Sequence, residues 1–177
     1  EEQIQIMAIK ITFLGAGSSV FVRNVLGDCI IHPELEDLTF ALYDIDAQRL
    51  EDSYLMLHAI CAHYGKSVKM EKYVGVEELP QALTGANFLI CAIQVGGYDP
   101  CTISDFEIPK KYGLRQTIAD TLGVGGVFRA LRTIPVMEMF GKMAEKYCPN
   151  AVFLNYSNPM GMLSGYMERY CNVQFVG

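Results

Sequence analysis

No block of basic residues offsets the acidic balance of this chain, in which 14 Lys and Arg face 20 Asp and Glu for a net charge of −6. A surface for the phosphate backbone of nucleic acid is thereby excluded, and no nucleic-acid partner is expected. Nor does any apolar run approach the roughly 20 residues that span a bilayer, so no membrane partner is expected. The six cysteines, Cys29, Cys61, Cys91, Cys101, Cys148 and Cys171, include no CxxC pair. In a chain too large to need staples they read as reduced core thiols. Histidine is scarce at three residues, and His58 and His63 stand five apart, off a shared helical face, so no internal metal site is expected. Residues 1–8 lack the basic start and apolar core of a targeting segment and read as a short leader or cloning remnant. The expected location is the cytoplasm. Repeats and low-complexity tracts are also missing.

What remains is a chain of 177 residues, 51% hydrophobic and 19% charged, enough for one well-buried domain over residues 9–177. Strand and helix patterns alternate with short connectors, which predicts a parallel sheet. The expected strands are Ile9 to Leu14, Leu38 to Tyr43, Lys69 to Val74, Phe88 to Ile93, Val152 to Leu154 and Val173 to Val176. Expected helices run from Ser19 to about His32, Ala47 to Tyr64 with Gly65 as the stop, Ile103 to Tyr112, Val127 to Tyr147, and about Met160 to Tyr170. Six strands in this alternation give an α/β, doubly wound, Rossmann-type NAD(P)-binding fold.

Residues 10–21 read KITFLGAGSSVF, an apolar run broken by Gly15-Ala16-Gly17 before a helical pattern opens. Gly15 permits the tight turn, Gly17 lets the backbone approach a pyrophosphate, and the helix N-terminus favours negative charge. The third glycine of such a motif is replaced by Val20. At the end of the second strand stands Asp44-Ile45-Asp46. A carboxylate there chelates a ribose diol and repels a 2′-phosphate, favouring NAD over NADP. Asp44 is the better ribose ligand, because Asp46 suits the cap of the helix starting at Ala47. A plain helix-capping role for both acids stays open.

Three further loops follow strand ends, where open α/β sheets bind ligands. The first is Gln94-Val95-Gly96-Gly97-Tyr98-Asp99-Pro100-Cys101. The second runs from Ile118 to Gly126 and holds Asp120. The third is Asn155-Tyr156-Ser157-Asn158-Pro159, whose amides either meet a hydroxyl-bearing ligand or satisfy loop backbone groups, with Asn158 also a candidate N-cap ahead of Pro159. Arg129 and Arg132 read either as cofactor-phosphate ligands or as a solvated face, and the methionines from Met137 to Met167 as packing.

Together Gly15-Ala16-Gly17-Ser18, Tyr43-Asp44-Ile45-Asp46, Gln94 to Tyr98, the Asp120 to Gly126 loop and Asn155 to Pro159 resemble glycoside hydrolase family 4 over nearly all of the chain from Lys10. The pattern is most similar to the melibiase (α-galactosidase) branch. Such enzymes are NAD- and metal-dependent, outside the two-carboxylate scheme of most glycosidases. The resemblance implies oxidation of the sugar at C3, loss of the C2 proton with the help of a divalent metal such as manganese, elimination, water addition and return of the hydride. It implies Gly15, Ala16, Gly17, Ser18, Ser19, Asp44, Ile45, Gln94, Val95 and Gly96 as cofactor-side residues, Asp120 as the catalytic acidic position, and Asn158 with Asn155 beside it as substrate contacts.

The phosphosugar branch of the family carries an arginine after the fourth strand. Here no arginine lies between Asn87 and Lys111, so an unphosphorylated hexoside is expected. The metal-binding cysteine and histidine and the tyrosine base of the family match no position here. The chain is therefore expected to be an N-terminal cofactor domain, inactive alone, of an enzyme that is a homo-oligomer in full-length form. Other family 4 activities (α-glucosidase, α-galacturonidase or 6-phospho-glycosidase) remain alternatives. A lactate- or malate-type 2-hydroxyacid dehydrogenase would need carboxylate-gripping arginines that Gln94 to Thr102 lacks. A non-catalytic NAD-binding module would leave Asn155, Asn158 and the Asp120 loop without a substrate.

Overall fold

A computed structural model describes residues 8–115 and 123–177. The chain divides into two compact units, the first ending at Ala92 and the second starting at Ile93. Their strands belong to one six-stranded parallel sheet, the expected α/β doubly wound class.

The first unit holds β1 (Ile9–Leu14), α1 (Ser19–Ile31), β2 (Leu38–Asp44), α2 (Ala47–Tyr64), β3 (Lys69–Val74), a 3-10 turn (Val76–Glu78), α3 (Leu79–Leu83) and β4 (Phe88–Cys91). Its strands lie in the order β3-β2-β1-β4, all parallel. The register pairs Leu14 with both Tyr43 and Cys91, so the ends of β1, β2 and β4 come level. Parallel neighbours need a crossover, and α1 and α2 supply it. Phe13, Leu14, Phe40, Leu42, Leu26 and Leu50 are fully buried in the core between sheet and helices. The short α3, too brief to show a helical period in the sequence, buries Leu79, Ala82 and Leu83. It is tied to β1 by the Thr12 hydroxyl donating to the Ala82 carbonyl at 2.7 Å.

At the edge, β3 carries the charges of Lys69, Glu71 and Lys72, which discourage pairing with another chain. Lys69 pairs with Glu71 at 2.7 Å, and the Tyr73 hydroxyl donates to Glu71 at 2.9 Å. Burial, and then the hydrogen bond to Glu71, push the Tyr73 phenol from 10.0 up to about 12. The neutral phenol is therefore favoured by the folded chain. The stability this carries is complete below pH 10 and is lost as pH rises towards about 12. Thermal melts across that window should show a decline that is shallower in Tyr73→Phe, the buried Tyr43 phenol, also raised by burial, contributing to what remains.

The second unit contains a π-helical turn (Gly97–Thr102), α4 (Ile103–Lys111), α5 (Val124–Tyr147), β5 (Val152–Asn155), α6 (Met160–Tyr170) and β6 (Gln174–Val176). β5 and β6 pair in parallel. Met137 and Met167 are fully buried, in keeping with a packing role. Pro135 lies inside α5, where it has no amide to donate to the Leu131 carbonyl four residues earlier.

Two boundaries depart from expectation for local reasons. β4 ends at Cys91 rather than Ile93: the Ala92 amide still donates to Leu14, but the Ile93 amide turns to the Ser157 hydroxyl at 2.9 Å. α5 starts at Val124 rather than Val127, because Gly125 and Gly126, expected in a loop, form its buried first turn. All six cysteines are thiols outside any disulfide. Among the described residues no helix is long and apolar enough to cross a membrane.

Candidate functional site

In the first unit the turn after β1 is held by backbone. The amides of Gly15 and Ala16 both donate to the Tyr43 carbonyl at 2.9 Å, and Ser18 donates to Gly15. Gly15 sits at φ 90°, open to glycine at no steric cost. Asp44 then reaches back across the turn, its Oδ2 accepting from the Gly17 amide at 2.6 Å while Oδ1 accepts from Asp46 at 3.0 Å. A Cβ on residue 17 would stand 2.8 Å from Asp44 Oδ2 and 3.0 Å from the Cβ of Arg49. Gly17 is thus required by the approach of Asp44 and Arg49, a reason the sequence motif did not supply. Val20, in place of the third glycine, is 60% exposed and meets no close packing that would demand glycine.

Asp46 takes the capping position expected of it. Its carboxylate caps α2 by accepting from the amides of Gln48 and Arg49 at 3.0 and 3.1 Å. Ser18, ahead of α1, makes no such capping bond. The first turn of α1, beginning at Ser19, is therefore without a side-chain N-cap, and free amides of such a turn suit an anion. Ala16 is fully buried, whereas Ile45 projects at 79% exposure beside Asp44.

In the second unit the loop after β4 is tethered at several points. Gln94 Nε2 donates to the Thr102 hydroxyl at 2.9 Å, and that hydroxyl donates to the Gly97 carbonyl at 3.2 Å. Gly96 and Gly97 take left-handed φ of 84° and 66°. The Val95 carbonyl accepts from Arg132 Nε at 3.0 Å. Arg132 also forks onto Asp105, at 3.2 and 2.7 Å. Its guanidinium, held above its ordinary pKa mainly by that hydrogen-bonded carboxylate, is thus engaged within the protein rather than lying on a solvated face.

The loop after β5 joins this one through the Ile93 to Ser157 bond. Asn155 is buried; its Nδ2 donates to the Ser157 carbonyl and its Oδ1 accepts from the Ser157 amide, both at 3.0 Å. Its amide therefore shapes the loop that carries Asn158. The structure puts Pro159 at the N-cap position of α6, one residue later than the sequence suggested. Asn158 Oδ1 makes only a long 3.4 Å contact with the Met160 amide. Asp120 and residues 118–122 of its loop lie outside the described residues.

Sequence reasoning did not find Arg49, Ser157 or the Asp105 to Arg132 pair. Each acts through a contact distant in sequence; Ser157 stands within the Asn155 to Pro159 motif, but its bond to Ile93 is not visible there. Among the described residues no group of three His, Cys, Asp or Glu could hold a metal ion.

A family model described as family 4 glycosyl hydrolase matches residues 10–177. The α-galactosidase of Bacillus subtilis is 55% identical over 168 residues, which cover 95% of this chain and 38% of that protein. An α-galacturonidase of Thermoanaerobacter italicus is 35% identical over 159 residues, 89% of this chain and 33% of that protein. Among solved structures, the 6-phospho-β-glucosidase from Thermotoga maritima with manganese, NAD+ and glucose-6-phosphate superimposes with a TM-score of 0.81. Its identity is 26%, over 96% of this chain and 39% of that one. The chain thus spans little more than a third of the length of these relatives.

Proposed function

This chain belongs to glycosyl hydrolase family 4, and we propose that it is the NAD-binding part of a metal-dependent glycosidase acting on unphosphorylated α-galactosides. The observation that carries the cofactor reading is Asp44 seated on the glycine turn, 2.6 Å from the Gly17 amide. A carboxylate offers about four acceptor sites. The Gly17 and Asp46 amides use two, which leaves capacity for a ribose diol. The α1 N-terminus, without a side-chain cap, suits the pyrophosphate. Gly15, Ala16, Gly17, Ser18, Ser19, Asp44 and Ile45 would hold the adenosine side, and Gln94, Val95 and Gly96 the remainder. Bound NAD+ supplies a hydride acceptor for a sugar carbon and gives that hydride back.

On the substrate side Asn158 presents an amide to sugar hydroxyls, Asn155 fixes the loop behind it, and Asp120 is the acidic position. A divalent metal, manganese in the Thermotoga structure, is assigned to no described residue. The full-length form is proposed to be a homo-oligomer. The α-galactosidase of Bacillus subtilis, at 55% identity, favours a galactoside. Against a phosphosugar, no arginine lies between Asn87 and Lys111, where the phosphosugar branch carries one, and the charge of Arg132 is paired with Asp105.

The substrate reading is tested by assaying the protein that carries this chain, with NAD+ and Mn2+, on p-nitrophenyl α-galactoside and its 6-phosphate. Turnover of the unphosphorylated glycoside is expected, and preference for the phosphate would overturn the reading. For the cofactor, Asp44→Ala should weaken NAD+ binding roughly 10- to 100-fold, the worth of hydrogen bonds to a charged group. It should also abolish the preference for NAD+ over NADP+, both measured by calorimetric titration.

A further inference from the structure

Arg132 connects three segments that lie far apart in sequence. Nη1 and Nη2 donate to the two oxygens of Asp105 on α4, and Nε donates to the Val95 carbonyl in the loop after β4. Asp105 is almost wholly buried at 5% exposure, so the pair is formed largely away from water. The Cδ of Arg132 lies 3.1 Å from where a Cβ on residue 96 would stand. Cys101 presses on the same point, its Sγ 2.4 Å from that position. The left-handed Gly96 therefore seats against Arg132 and Cys101, and the peptide joining it to Val95 is gripped from one side.

A doubly wound sheet is built from two mononucleotide-binding halves, the first carrying the glycine turn and the ribose acid. In this chain that half is β1 to β3 with Gly15, Gly17 and Asp44. The loop after β4 goes with the other half. Resting on the NAD reading above, we propose that Arg132, braced by Asp105, is a positioning residue for the nicotinamide half of the cofactor, because it sets the Val95 to Gly96 peptide on which that half rests. Lysine cannot substitute: a point charge on a flexible stem lacks the planar fork that holds a carboxylate and a carbonyl at once. The adenosine half, bound by residues of the first unit, is untouched by the brace.

The test compares NAD+ with ADP, which probes the adenosine half alone, by calorimetric titration into the parent chain and two variants. Arg132→Met with Asp105→Leu removes both charges together, so that no buried charge is left unpaired. Arg132→Lys keeps the charge and loses the fork, and it serves as the readout if circular dichroism shows the double variant unfolded. NAD+ affinity should fall on the order of tenfold in each folded variant, as a misplaced contact predicts, with ADP affinity within about twofold of the parent. Equal losses for NAD+ and ADP would show a merely structural pair, and unchanged NAD+ affinity would also overturn the inference. If the parent chain binds ADP but not NAD+, or neither, the cofactor reading itself falls and the positioning role with it.

Discussion

Gly17→Val is expected to weaken NAD+ binding by about two orders of magnitude or more. The added Cβ alone would press to 2.8 Å from Asp44 Oδ2 and 3.0 Å from the Cβ of Arg49; the Arg49 Cβ is fixed to its backbone, so the carboxylate is the group that must give. Asp44 would have to leave the Gly17 amide that it now accepts from at 2.6 Å. Losing a hydrogen bond to a charged group costs roughly 1.5–3 kcal/mol, and overpacking adds about 1–3 kcal/mol. The two act on the same carboxylate that is to hold the ribose, so they reach the cofactor directly. Gly17→Ala should move binding the same way by less. Calorimetric titration of NAD+ reads both, and an unchanged Kd in Gly17→Val would mean that the turn does not serve the cofactor.

Arg132→Ala should cost about 3 kcal/mol of stability, the lower part of the range for stripping one partner from a buried ion pair. The lower part applies because the Arg132 side chain is 23% exposed and its partner 7%. That asymmetry makes a further distinction. Removing Arg132 leaves the Asp105 carboxylate buried without its counter-charge, whereas removing Asp105 leaves a guanidinium able to turn to water. Urea unfolding should therefore rank Arg132→Ala below Asp105→Ala, with the apolar double variant recovering most of the loss. Equal costs would show that water already reaches the carboxylate.

Much of the fold was legible because its signals are local. A largely apolar run located β1 to the residue, and Asp46 with Gly65 bracketed α2 at both ends, since capping chemistry is read within a few residues. Boundaries set by distant partners were not legible. The end of β4 depends on a hydroxyl 64 residues away, and a strand pattern carries no trace of it. The site divides in the same way. Gly15 and Asp44 announce themselves by motif, yet the crowding that requires glycine at 17 comes from the side chain of Asp44, 27 residues on, which the motif does not show. Arg132 was left between two roles, phosphate ligand or solvated face, because its spacing from Arg129 says nothing of Asp105. Asn155 shows the converse: its amide was recognised as significant, and its partners are the backbone groups of its own loop.

The most direct measurement is a calorimetric titration of NAD+ and NADP+ into this chain, side by side. With Asp44 on the glycine turn, saturable NAD+ binding well ahead of NADP+ is expected, because the carboxylate that accepts from a ribose diol repels a 2′-phosphate. Equal binding of the two nucleotides, or binding of neither by a folded chain, would contradict the role given to Asp44 and Gly17.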